Sequence, residues 1–353
     1  MALTAAGAVA TPLLLDAAWT RVSAAVTAKD VVDRIKKNIG VEWRSDDVDT
    51  FKAGDPSTIV TGVVTTSMAT LDVLQKAVQA RANLVITAAP TFYSRADLST
   101  PGGRGFGAGA ARGGPRGGSP SAVPAPSPAT VSGPGTGASA PMPPTPALPT
   151  SVVPPPPSPV GATPPATPPP PDPVYVGKNA FIEEHTLVVF RLTQHWNQRQ
   201  PDPRAQGLAA AMGWTQYAVN DDALRYTVPG IRLDALAGQL KKTLGTRGGI
   251  RAIGDRAIIV RQIGLLPGYT TIQASIAMMP EVDVIITGEV QEWESATYAQ
   301  DVAFAGLKKG FISVGRVVNE AAGMQVCADW LKTIVPEVPV RFIAAGDPYW
   351  RPL

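Results

Sequence analysis

The sequence predicts an α/β fold: two similar α/β units with mixed, largely parallel sheets, interrupted by a disordered proline- and glycine-rich insert. Three observations carry this. In the C-terminal third, short β-branched runs alternate with helix-period segments, the pattern of a sheet covered by helices on both faces. Before the insert, a strand, a helix and a second strand follow one another as a β-α-β unit. Finally, Asn83-Leu-Val-Ile-Thr87 recurs as Asp283-Val-Ile-Ile-Thr287, each after a helix and before a loop, so two like units are expected.

Four segments follow from composition: 1–28, 29–98, 99–171 and 172–353. Met1 to Leu15 carries no charge and is rich in Ala, Leu and Val, which suits the apolar core of an export signal; Val26-Thr27-Ala28 supplies the small residues of a cleavage site. No basic segment precedes it, and the string resembles the middle of a twin-arginine signal. The expected location is therefore periplasmic or extracellular, the alternative being an Ala-rich terminal helix on a cytoplasmic protein. No apolar run approaches the ~20 residues of a bilayer-spanning helix.

Lys29–Lys37 reads as a helix, with Thr27 and Asp30 spaced as a capping box and Val31, Val32 and Ile35 on one face. Thr58–Thr65 is β-branched and reads as a strand, Met68–Ala82 as a helix and Leu84–Thr87 as a buried strand. Between Ser99 and Pro173 lie 24 of the chain's 36 prolines. The segment 99–171 has no acidic residue and a single aromatic, Phe106. Such a composition cannot bury enough apolar area to offset roughly 1–2 kcal/mol of backbone entropy per residue. Gly103-Arg-Gly-Phe-Gly-Ala-Gly has no strand before it and no helix after it, which argues against a dinucleotide loop. The prolines favour extended polyproline II, so a proline-motif-binding partner is the one interaction this arm suggests.

Beyond the insert, the spacing predicts helices at Asn179–Glu184, Ala205–Met212 and Leu233–Leu244, with a strand at Leu187–Leu192. Ile250–Ile253 and Ala257–Ile263 flank Gly254-Asp255 as a β-hairpin. Then come helix Thr270–Ala277, strand Val282–Thr287, helix Ser295–Lys308, strand Gly310–Val314, helix Ala321–Ile334 and strand Pro339–Ile343. In open sheets, sites are built at the carboxyl ends of strands, here Ala88–Pro90, Gly288–Glu289 and Gly315–Arg316.

The net charge of +3 is small and its lysines and arginines are scattered, so no nucleic-acid footprint is expected. The lone Cys327 excludes an intramolecular disulfide and reads as a small core hydrophobe. Only two histidines exist, His185 and His195. No P-loop, CxxC or Ser/His/Asp arrangement stands out.

Four stretches carry a family resemblance: Thr61-Gly-Val-Val-Thr-Thr-Ser-Met-Ala-Thr-Leu-Asp-Val-Leu, Val85-Ile-Thr-Ala-Ala-Pro-Thr-Phe-Tyr, Gly288-Glu-Val-Gln-Glu-Trp-Glu and Gly315-Arg-Val-Val-Asn-Glu-Ala-Ala-Gly-Met. In content and order they resemble the NIF-three-like proteins, also described as dinuclear-metal-centre hexameric proteins or type-two GTP cyclohydrolase homologues. The resemblance implies a toroidal homo-hexamer whose inward-facing sites hold two divalent ions (zinc, iron or manganese) on His, Asp and Glu. It also implies a first motif Thr-His-Glu-Pro-Thr-Phe-Tyr with a further His; this chain has Ala88 and Ala89 there, and Arg95. In the second motif His195 remains, with Thr193, Gln194 and Asn197 where His or Asp is expected. In the third, Gly-His-x-x-x-Glu, Arg316 replaces His and Glu320 stays.

Alanine offers no ligand atom and a guanidinium cannot coordinate a cation. The expectation is thus a degenerate site with no cofactor, vestigial candidates Glu320 and His195, and Arg316, with Arg95, paired to Glu320. Glu320 has a plainer reading as a first-turn carboxylate behind an Asn319 N-cap, and His195 as a hydrogen-bonded structural residue. The function expected is a scaffold or binding protein. Two alternatives stand: a metal-dependent hydrolase of a nucleotide-like or phosphorylated small molecule, with Glu289 or Glu320 as base, and an interaction protein working through its proline arm. Glu292 and Glu294 extend the acidic rim beside Glu289.

Overall fold

The computed structural model describes residues 25–45, 47–93, 97, 172–220 and 222–352. The export signal expected over 1–28 lies outside these residues as far as residue 24, and the insert expected over 99–171 lies outside them entirely.

α1 (Ala28–Asn38) opens on the capping box its sequence announces: the Thr27 hydroxyl accepts from the Asp30 amide, and the Asp30 carboxylate accepts from the Thr27 amide. β1 (Phe51–Ala53) follows, then β2 (Val63–Thr66), α2 (Leu71–Gln79) capped by Thr70, and β3 (Leu84–Thr87). Next come α3 (Pro173–Glu184), β4 (Val188–Arg191), the one-turn α4 (Gln194–Gln198), α5 (Pro203–Ala211), β5 (Ala218–Val219) and β6 (Asp222–Arg232). α6 (Leu233–Leu244), β7 (Arg251–Ile253), β8 (Ile259–Tyr269), α7 (Ile272–Met278) and β9 (Val284–Glu289) continue the chain. α8 (Thr297–Phe304), β10 (Gly310–Ser313), α9 (Arg316–Ile334) and β11 (Val340–Phe342) complete it.

The strands form two mixed, largely parallel sheets, in the orders β1-β4-β3-β2-β11 and β5-β6-β8-β9-β10-β7. In the first, β4, β3, β2 and β11 run parallel and only β1 is reversed. In the second, β8, β9 and β10 are parallel, with antiparallel partners on either side. The repeated motif occupies equivalent places. Asn83 enters β3 with its side chain holding Thr61 and Ile59 of the preceding segment, and Asp283 precedes β9 with its carboxylate on the Arg261 and Gln262 amides.

Alternate residues of the first sheet divide between two cores. Val63, Leu84, Ile86, Val188 and Phe190 pack with α1 and α9, while Val64, Val85 and Val189 pack with α2 and α3. α5 and α6 cover one face of the second sheet, and Ile285 and Phe311 meet α8 on the other. α9 reaches both sheets, touching β2 and β11 of one and β8 and β9 of the other. That is why a 19-residue helix with no clean amphipathic stripe is stable here: it has apolar neighbours on two sides. Cys327 sits in this helix, fully buried, and burial pushes its thiol pKa up.

α5 crosses α9 at glycines. A Cβ on Gly207 would stand 2.4 Å from the Ala322 carbonyl oxygen, and one on Gly323 would stand 2.9 Å from the Arg204 Cα. Gly207→Ala is therefore expected to force the helices apart and cost about 2 kcal/mol, read as a lowered urea midpoint at unchanged slope. A variant as stable as the parent would show that the crossing tolerates a methyl group.

Three expectations need correction, and one strand was not expected. The strand placed at Thr58–Thr65 begins only at Val63, because Ile59 and Val60 pair instead with the entry to α1. The hairpin around Gly254-Asp255 does not form: β7 pairs antiparallel with β10, and both edges of β8 are taken by β6 and β9. β6 has no counterpart among the expected strands; it carries Pro229-Gly230, and the ladder with β8 is irregular between Thr227 and Ile231, where such residues are tolerated. α9 starts at Arg316 rather than Ala321, so Asn319 is no N-cap. Among the described residues, no helix is long and apolar enough to cross a membrane.

Candidate functional site

The carboxyl ends of the parallel strands converge as the sheet rule requires. Ala89 and Pro90 after β3, Gly288 and Glu289 at β9, and Gly315 and Arg316 at the β10–α9 turn all line one cavity of about 450 Å³. Two glycines make the convergence possible. Gly315 has φ +91°, which lets the chain turn into α9. A Cβ on Gly288 would lie 2.6 Å from the Gly268 carbonyl oxygen and 3.2 Å from the Arg316 Cα, so β9 can approach α9 this closely only without a side chain.

Glu320 lies one turn into α9, buried where α9, α5 and β8 meet. Arg316 Nε donates to its Oε1 at 3.2 Å, the pairing expected from sequence, made through a single contact rather than a fork. Arg204 of α5, held on Asp202 by two hydrogen bonds, also faces this carboxylate. A Cβ on Gly268 would fall within 3.0 Å of Glu320 Oε1 and 3.1 Å of Arg204 Nη1. Burial raises the Glu320 pKa, the two guanidiniums pull it back down, and the charge of Glu289 adds to the rise. The first-turn reading of Glu320 is therefore superseded: it is an interior carboxylate facing two cations. Its neighbour Asn319 is also interior and accepts the Gly268 amide at 2.8 Å.

His195 is fully buried on α4 and does not line the cavity. Its Nε2 accepts from the Arg44 amide at 2.8 Å, so the ring proton is at Nδ1, which donates to Asp49 Oδ2 at 2.7 Å. The ring stacks on Trp43 at 3.8 Å. Both nitrogens are thus committed, and no lone pair is left for a metal. Asp49, which sequence reasoning missed, organises this corner: besides the imidazole it accepts from the amides of Thr193, Gln194 and His195, capping α4 from 146 residues away. Nothing in Asp46-Asp47-Val48-Asp49 marks the last of these carboxylates for burial.

The remaining motif positions are apolar or positive. Ala88 and Ala89 are buried methyl groups, and the Ala88 carbonyl accepts from the Thr193 hydroxyl. Asn197 is half-buried on α4, and Arg95 lies outside the described residues. Around the same strand ends, Lys52, Arg191 and Lys178 are buried cations. Burial depresses the pKa of each, and Asp97 opposes the effect in all three. Arg191 is further depressed by the charge of Arg316. Glu289 is exposed at the rim, Glu292 pairs with Arg251, and Glu294 accepts from the Tyr269 hydroxyl at 3.3 Å. Among the described residues, no three His, Cys, Asp or Glu side chains are grouped so as to hold a metal ion.

The described residues at this cleft do not fit a dinuclear metal centre. A divalent ion there would meet the Ala89 methyl group and the Arg316 guanidinium that already sits on Glu320, while the imidazole of His195 lies outside the cavity with both nitrogens bonded.

What these features define is a two-sheet α/β protein with a cleft at the carboxyl ends of its parallel strands, lined by Arg251 and Arg316 together with Glu289 and Asp347. Its fold is that of the NIF3-type proteins. A hypothetical protein of Staphylococcus aureus superposes with a TM-score of 0.57 at 14% identity, over 92% of this chain and 99% of that one. A Bacillus cereus protein related to NIF3 does so with a TM-score of 0.56 at 11% identity, over 94% and 100%. Reduced HcgD from Methanocaldococcus jannaschii gives 0.51 at 12% identity, over 90% and 97%. No protein-family model matches the sequence, and no curated protein does.

Proposed function

We propose that this chain is a NIF3-like protein with a degenerate dinuclear metal site, acting as a binding or scaffold protein without metal-dependent hydrolysis. One observation carries the reading: Arg316 stands at the mouth of the cavity with its guanidinium on Glu320, the carboxylate kept from the third motif. A guanidinium there supplies the counter-charge that a divalent ion would otherwise bring, and it neither accepts a metal nor generates a hydroxide nucleophile.

Following the resemblance, the chain assembles as a homo-oligomer, a hexamer in that reading. The cleft then serves to bind a small molecule or to shape the assembly.

Elemental analysis of the purified full-length protein, exchanged into metal-free buffer, tests the proposal. The expected content is far below stoichiometric for zinc, iron and manganese together. About one or two equivalents of any of them per chain would overturn the reading and restore the hydrolase alternative, in which Glu289 or Glu320 acts as base.

A further inference from the structure

At the opposite end of the second sheet, where β8, β9 and β10 begin, a groove of about 640 Å³ runs between Ile259 and the turn after α8. That turn is built to hold its shape. Gly306, at φ +81°, donates to the Ala303 carbonyl and Leu307 donates to the Val302 carbonyl, the paired bonds of a Schellman termination. The consequence is unusual for a water-soluble surface. Phe304, the last residue of α8, is 93% exposed, and Leu307 and Ile259 beside it are 56% and 47% exposed. An exposed aromatic ring on a fixed backbone turn therefore stands next to a groove with an apolar wall.

We infer that this end of the sheet is a contact face between two copies of the chain, related by a two-fold axis, with Phe304 of each copy seated in the groove of the other. The proposal rests on the oligomeric reading above and adds the face that forms it. Two features select a second copy as the occupant. Knob and groove are neighbours on one surface, so a two-fold axis between them engages both at once, as an isologous contact requires. The charges are also self-complementary: the exposed Asp255 lies on the β7–β8 side and the exposed Lys308 on the α8 side, so the rotation brings Lys308 of each copy toward Asp255 of the other. The Schellman turn fixes the backbone that carries Phe304, so docking need order only the ring itself, which favours association. The face lies away from the carboxyl-end cleft, so pairing leaves the cleft open.

Light scattering coupled to size-exclusion chromatography, on the full chain and its variants, decides the matter. The wild type is expected to be oligomeric and F304D to fall about two-fold in mass, because one interface of each pair is lost. Since Phe304 is almost wholly exposed, the substitution leaves the fold intact, which an unchanged circular dichroism spectrum verifies. K308E is expected to weaken the contact and K308E/D255K to restore it. A wild-type oligomer whose mass F304D leaves unchanged would sink this face alone. A wild type that is monomeric at every concentration would sink the oligomeric reading and this face together.

Discussion

Asp49→Ala is expected to cost about 4 kcal/mol of stability, the scale of removing one member of a buried hydrogen-bonded ionic group. The side chain of Asp49 is fully buried, and its two oxygens accept four bonds: from the amides of Thr193 (2.6 Å), Gln194 (3.2 Å) and His195 (2.9 Å), and from His195 Nδ1 (2.7 Å). Alanine leaves three backbone donors and an imidazole N–H unsatisfied in a site walled by Trp43 and Trp196. Nothing else in α4 replaces the carboxylate, because its N-cap, Thr193, makes no side-chain capping bond. Asp49→Asn keeps one acceptor oxygen but turns an amino group toward donors, so about half of the loss is expected to persist. Chemical denaturation of the three proteins measures this. A loss for Asp49→Ala of under about 1 kcal/mol, the range of ordinary surface substitutions, would mean that water or a shifted loop takes over the carboxylate's role.

The second large effect is on the pH dependence of stability. Lys178 is 3% exposed on α3, donates to the Thr91 carbonyl at 2.6 Å, and lies 5.0 Å from the centre of the Tyr93 ring. Burial lowers its pKa to about 8, against the partial opposition of Asp97. The folded pKa is below the unfolded value, so between about pH 8 and 10.5 the unfolded chain holds more protons than the folded one. Stability therefore rises with pH across that window, by up to about 3 kcal/mol from this group. Lys178→Met keeps the apolar stem and removes the titration. Two nearby tyrosines oppose the trend at higher pH, since partial desolvation raises the pKa of the exposed Tyr93 and burial that of Tyr175. The quantity to read is thus the difference between wild type and Lys178→Met at pH 8 and pH 10. Parallel stability curves for the two proteins would refute a strained, charged Lys178.

These two residues mark the boundary of what could be read in advance. The capping box of α1, the helical face of Val31, Val32 and Ile35, the buried β3 and the alternation through β9, β10 and α9 were all legible, because each depends on residues a few positions apart. So were the alanines and arginines at the motif positions, whose side-chain chemistry holds in any fold. The cleft was legible in part, since the carboxyl ends of β9 and β10 had to be neighbours once those strands were parallel, whereas the arrival of β3 from the other sheet was set by packing.

Tertiary packing decided the rest. Whether β7 folded back on β8 or crossed to β10 depended on which strands had already claimed the edges of β8, and no local pattern records that. One aspartate among three near-identical neighbours became the cap of a helix 146 residues away because the loop carrying it packs there. Glu320 became an interior carboxylate rather than a helix-end charge because α9 begins a turn and a half earlier than its apolar pattern suggests, with a glycine turn feeding it between two sheets. Periodicity and capping act within a few residues of the chain, whereas strand order, burial of charge and the exposure of Phe304 depend on contacts between distant segments. Those exist only in the assembled core.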